Sequence, residues 1–108
     1  MVVQGAKQKQ AVVSEAQLST RIIRSLKQLG IFYIKLRGGP YQVRGMPDLL
    51  IVHKGQTMYV ELKTETGELT PLQAKMGRDL INEGARWLCI RPSTERVLWT
   101  TLKMVQSA

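Results

Sequence analysis

Cysteine, histidine and phenylalanine each occur once in these 108 residues, and only 8 acidic side chains stand against 16 Lys and Arg. The single Cys89 excludes an internal disulfide; placed in an apolar run, it reads as a buried structural thiol of a reducing compartment rather than a nucleophile. With one Cys and one His there is no Cys/His cluster for zinc, and His53, close to a turn, reads as incidental. No apolar run is long enough to span a membrane and Met1-Val2-Val3 opens no recognisable signal peptide, so a soluble cytoplasmic protein is expected. No internal repeat is present.

The scarcity of acids leaves a formal net charge of +8 and a pI near 10.1. Such a field attracts phosphate backbones and makes binding salt-dependent, although generic solubilising charge or attraction to anionic membranes gives the same balance. The length fits one domain with a small core, which oligomerisation would support. Residues 1–13, with Lys7 and Lys9, form a basic N-terminal arm open to three readings: a flexible tail, a phosphate-binding tail, or the start of the first helix. Residues 14–108 form the domain.

The densest chemistry lies between Gly45 and Lys63. Leu49-Leu50-Ile51-Val52 and Met58-Tyr59-Val60-Glu61-Leu62 read as strands interrupted by Lys54-Gly55. A tight two-residue turn there pairs His53 with Gln56, Ile51 with Met58, and Asp48 with Glu61. Directly opposed Cβ atoms lie about 4.5–5.5 Å apart, so both carboxylates can grip one hard cation. Lys63, two residues past Glu61, leaves the same face. Two apposed carboxylates repel each other, and a divalent cation removes that penalty. Oxygen-only ligands favour Mg²⁺ (or Mn²⁺) over zinc, and the Lys63 ammonium suits activation of a water or stabilisation of charge on a phosphate. A solvated strand end with an ordinary Glu–Lys pair is the plainer alternative.

Ser14 with Gln17 is a capping box opening a helix whose apolar stripe is Leu18, Ile22, Leu26 and Leu29, ended by Gly30. Glu15 starts that stripe and points toward the sheet, yet its position alone favours an acid placed for the helix dipole. A strand over Ile31 to Leu36 leads into a glycine-rich basic loop in which Arg37 and Arg44 suit a clamp on the DNA backbone and Tyr41 suits stacking or a phosphate hydrogen bond; a solvated connector is the alternative. Thr70-Pro71-Leu72-Gln73 opens a second helix running to about Glu83, with Gly84 at its end. Gln73 reads there as a capping partner that also suits orienting phosphate or water. Ala85 to Arg91 reads as a strand. Ser93 caps a final helix containing Val97, Leu98, Leu102 and Val105, with a strand over Arg96 to Leu102 as the alternative. Trp87 and Trp99 suit core or interface better than base stacking.

Glu15 in a first helix, Gly45-x-Pro47-Asp48, Glu61-x-Lys63 and Gln73 in the next helix together resemble the PD-(D/E)xK nuclease superfamily, and within it the virus-type replication-repair nuclease (VRR-Nuc) family. Tyr59-Val60-Glu61-Leu62-Lys63-Thr64 and Gly67-Glu68-Leu69-Thr70-Pro71-Leu72-Gln73 are also similar to that family, and the likeness covers roughly residues 14–92. It implies an α/β fold with a restriction-endonuclease-like αβββαβ core, a mixed central sheet flanked by helices, and here an extra C-terminal helix. It also implies metal-dependent hydrolysis of DNA by Glu15, Asp48, Glu61, Lys63 and Gln73. Asp48, Glu61 and the backbone carbonyl of Leu62 are then expected to bind metal, with Glu15 contributing directly or through water. Lys63 would activate the water, and Gln73 would steady Lys63 or the phosphate. A short stand-alone domain of this kind resembles phage enzymes that act as homodimers on branched DNA, so resolution of four-way (Holliday) junctions in a host cytoplasm is the sharpest expectation. A flap, nicking or restriction-type endonuclease is the runner-up, and a non-catalytic basic DNA-binding module the third reading.

Overall fold

The computed structural model describes residues 12–37 and 43–107. Nearly all of the basic arm, and Tyr41, therefore lie outside the described residues. The chain runs α1 (Glu15–Leu29), β1 (Phe32–Lys35), β2 (Leu49–His53), β3 (Gln56–Leu62), α2 (Pro71–Asn82), β4 (Arg86–Ile90), a short 3-10 turn (Pro92–Thr94) and α3 (Glu95–Ser107). This is the expected α/β arrangement: one mixed four-stranded sheet flanked by helices, with the additional C-terminal helix in place.

Local chemistry accounts for the element ends. Both capping boxes form: the Ser14 hydroxyl accepts from Gln17 N at 3.0 Å and the Thr70 hydroxyl from Gln73 N at 3.1 Å, each answered by the glutamine side chain accepting from the cap amide at 2.9 Å. Gly30 ends α1 in the left-handed region at φ 70°. Lys54 and Gly55 both have positive φ, 53° and 79°, as a two-residue hairpin turn of the I′ kind demands. His53 faces Gln56 and Ile51 faces Met58, as expected.

The strands lie in the order β1-β2-β3-β4. The first three pair antiparallel and β4 runs parallel to β3, because α2 carries the chain across between them. Strand alternation then divides the sheet. Leu49, Ile51, Met58, Val60, Leu62 and Ile90 form a buried core with Leu18, Ile22 and Leu26 of α1 and Leu98 and Leu102 of α3. The intervening residues, Glu61 and Trp87 among them, face α2. Glu95 ties the two core-side helices together, accepting from Arg21 Nε at 2.9 Å and from Trp99 Nε1 at 3.2 Å.

Helix α2 ends as expected, with Glu83 as its cap residue and Gly84 following at φ 93°, but three expectations need correction. Leu29 is 64% exposed, because Ile31 N–H bonds back to Leu26 O and the stripe loses the core one turn early. Ser93 does not cap α3; it lies in the 3-10 turn, where its amide and hydroxyl both donate to the Glu65 carboxylate, and 96–102 is helical. Cys89 is half-buried rather than buried, since β4 is a sheet edge, and burial still raises the pKa of its thiol.

Helix α2 approaches β4 closely at one point. A Cβ on Gly77 would stand 2.7 Å from Trp87 Cε2, so Gly77→Ala forces a rigid indole aside. Denaturant titration should show a loss of about 1–3 kcal/mol for this substitution; unchanged stability would contradict the close packing of α2 on the sheet.

Candidate functional site

Three chain segments are brought to one end of the sheet. The regular β2–β3 register closes at Leu49↔Val60, and one step further Asp48 leaves the expected pairing: its N–H donates to Val60 O at 3.0 Å while its carbonyl accepts from Leu36 N at 2.9 Å. Asp48 is therefore held from both neighbouring strands. Its side chain takes over where the ladder ends, Oδ2 accepting from Leu62 N at 2.7 Å. The preceding Gly45 has φ 82°, and a Cβ there would stand 2.6 Å from Leu72 O. A glycine is thus required for the Gly45-Met46-Pro47-Asp48 segment to pass the first turn of α2.

Glu61 is 0% exposed and sits beside Asp48. Its Oε2 accepts from Gln73 Nε2 at 3.1 Å and from Arg37 Nη2 at 3.0 Å, whereas Oε1 is buried with no hydrogen-bond partner among the described residues. Burial first, and then the neighbouring Asp48 charge, push its carboxyl from about 4.5 up to about 7, while Arg37 and Lys63 pull the other way. The capping box explains why Gln73 aims so well: its Oε1 is occupied by the Thr70 amide, which turns Nε2 toward Glu61. Gln73 thus steadies Glu61 rather than the expected Lys63. Lys63 is 8% exposed.

Arg37 departs most from the expected role. Instead of reaching outward to a DNA backbone, its guanidinium folds onto the acids, with Nε 3.1 Å from Asp48 Oδ1, Nη2 bonded to Glu61, and Nη1 3.9 Å from Glu15 Oε1. Nη2 also lies 3.4 Å from Met46 O. Glu15 is joined to the pair through Arg37 and shares with Asp48, Leu62 and Arg37 an open cleft of about 230 Å³. Among the described residues no group of three or more His, Cys, Asp and Glu side chains is arranged to hold an ion; the carboxylates that meet are two. A second cleft, of about 330 Å³, lies between Arg37, exposed Arg44 and Gln73. His53 stays apart from the acids, lining an apolar cleft with Leu29, Ile31 and Trp99.

The oxygens present suit a hard cation. An acid pair with one member fully buried and one oxygen orphaned is a poor structural element on its own, and a divalent cation placed there would offset the repulsion and could take the orphan as a ligand.

One supporting residue escaped the sequence reading. Arg91 Nη1 donates to Thr64 O at 2.7 Å and to Gly67 O at 2.5 Å, pinning the loop that joins Lys63 to α2. No local pattern marks an arginine at a strand end for that task. Comparison of the chain with family models, curated proteins and solved structures found no match.

The raised Glu61 pKa fixes the sign of a pH dependence. Between about pH 4.5 and 7 the unfolded chain releases this proton while the folded chain keeps it, so metal-free stability should fall as pH rises through that window. Thermal melts in chelator should show Tm falling from pH 5 to 7.5, an effect reduced in Glu61→Gln, and Mn²⁺ should restore wild-type Tm at pH 7.5. Identical pH profiles for the two proteins would contradict the assignment.

Proposed function

We propose that this chain is a divalent-metal-dependent DNA endonuclease of the VRR-Nuc kind, acting as a homodimer on four-way junctions. The observation that carries the reading is the Asp48–Glu61 pair at the end of two paired strands, with Glu61 fully buried and Lys63 just past the end of the Glu61 strand. Asp48, Glu61 and the Leu62 carbonyl would hold Mg²⁺ or Mn²⁺, with Glu15 contributing through water. When bound, such an ion supplies Lewis-acid polarisation of the phosphodiester and acidifies water. Lys63 orients the attacking water and offsets charge building on the phosphate, Gln73 keeps Glu61 in place, and Arg44 receives the DNA backbone. Water adds to phosphorus, the bond to one sugar oxygen breaks, and that oxygen leaves with a proton.

The net charge of +8 supports a polyanionic substrate. Exposed Phe32 and Ile34 on the edge strand β1 support a second copy as partner, and no helix among the described residues is long and apolar enough to cross a membrane. Two sites related by a two-fold axis suit symmetric cuts in opposed strands.

The test is incubation with labelled four-way junction, flap, single-stranded and linear duplex DNA in Mg²⁺ or Mn²⁺. Paired cuts in the junction are expected, falling about a hundredfold or more in Lys63→Ala, with a dimer by light scattering. Cleavage of flaps or single strands alone by a monomer would replace junction resolution with the runner-up, and metal-independent binding without cleavage would leave a DNA-binding module.

A further inference from the structure

Among the described residues Arg37 is the one side chain that touches Glu15, Asp48 and Glu61 together, and it does so from the boundary between two clefts. Its Nε lies 3.1 Å from Asp48 Oδ1, whose partner oxygen is already committed to the Leu62 amide. Its Nη2 lies 3.0 Å from Glu61 Oε2, which also accepts from Gln73. A divalent cation that took Asp48 Oδ1 together with the orphaned Glu61 Oε1 would claim an oxygen the guanidinium holds, and would place two positive centres within a few ångströms of each other. The two cations are alternatives. Arg37 is 36% exposed, so its side chain has room to leave, and the second cleft it lines contains Arg44 and the Gly45 backbone. A planar guanidinium turned into that cleft is suited to a phosphate oxygen pair.

We propose that Arg37 is an internal counter-cation of the Asp48–Glu61 pair which a divalent metal displaces, and that the displaced guanidinium becomes a phosphate-binding group beside Arg44. The inference rests on reading the acid pair as a metal centre and adds to it a coupling: metal loading frees the residue that binds the DNA backbone. It gives Arg37 two successive partners, carboxylate and then phosphate, both of which fit its fork.

Calorimetric titration of Mn²⁺ into metal-free protein at pH 7.5 tests this on wild type, Arg37→Gln, Arg37→Lys and Asp48→Asn. Arg37→Gln should bind Mn²⁺ about tenfold more tightly or better, because the competing cation is gone, and should melt lower than wild type in chelator but not at saturating Mn²⁺. At saturating Mn²⁺ it should also bind a short single-stranded DNA several-fold more weakly. Arg37→Lys, which keeps the charge and loses the fork, should fall between the two and stands in if Arg37→Gln does not fold. Unchanged or weaker Mn²⁺ binding in both Arg37 variants, with binding abolished in Asp48→Asn, would overturn the displacement while leaving the metal centre standing. Absence of Mn²⁺ binding in wild type would remove the metal centre and the displacement with it.

Discussion

Two carboxylates forced together at the end of a hairpin are the constraint on which the rest of the site depends. Glu61 lies near the end of β3, an interior strand of the sheet, fully buried, and Asp48 stands beside it with both main-chain groups hydrogen-bonded, its N–H to Val60 O and its carbonyl to Leu36 N. Their backbones cannot move apart without breaking sheet hydrogen bonds. Their repulsion and the burial of Glu61 must therefore be answered by positive groups and donors, and those are what surround them: the Leu62 amide on Asp48, Gln73 on Glu61, and the Arg37 fork across both. One Glu61 oxygen is still left without a hydrogen-bond partner among the described residues. A fold selected for stability alone would do better with apolar side chains in these positions, and that is the ground for the proposal that they serve chemistry.

The surrounding architecture serves to hold that pair still. The core of α1, α3 and one sheet face fixes β2 and β3, while α2 lies across the other face with Gly77 against Trp87 and Gln73 over Glu61. The parallel crossover through α2 is thus more than a connection. Its first turn supplies the glutamine, and the loop leading to it, pinned by Arg91, starts at Lys63.

What the sequence made legible was local. The hairpin register followed from a two-residue turn, and both capping boxes from residues three apart, since turns and caps are set by neighbours along the chain. Asp48, Glu61 and Gln73 came together because each sat next to such a signal. What it hid depended on distant segments: Arg37 turning inward onto acids 11 and 24 positions away, reading outward as a phosphate clamp; Arg91 capping a loop some 25 residues upstream; Leu29 losing the core where Ile31 folds back. The last pair of the hairpin was missed for a related reason, since Asp48 answers to β1 as well as β3 and its amide turns to Val60.

The central claim is that the Asp48–Glu61 pair is built for a divalent cation. Crystals of the protein grown with Mn²⁺, examined for the anomalous signal of the metal, test it most directly. A single peak within coordination distance of Asp48 and Glu61, with the Arg37 guanidinium withdrawn from both, is the predicted result. Crystals showing no peak at the pair, with Arg37 still spanning the two carboxylates at millimolar Mn²⁺, would contradict it.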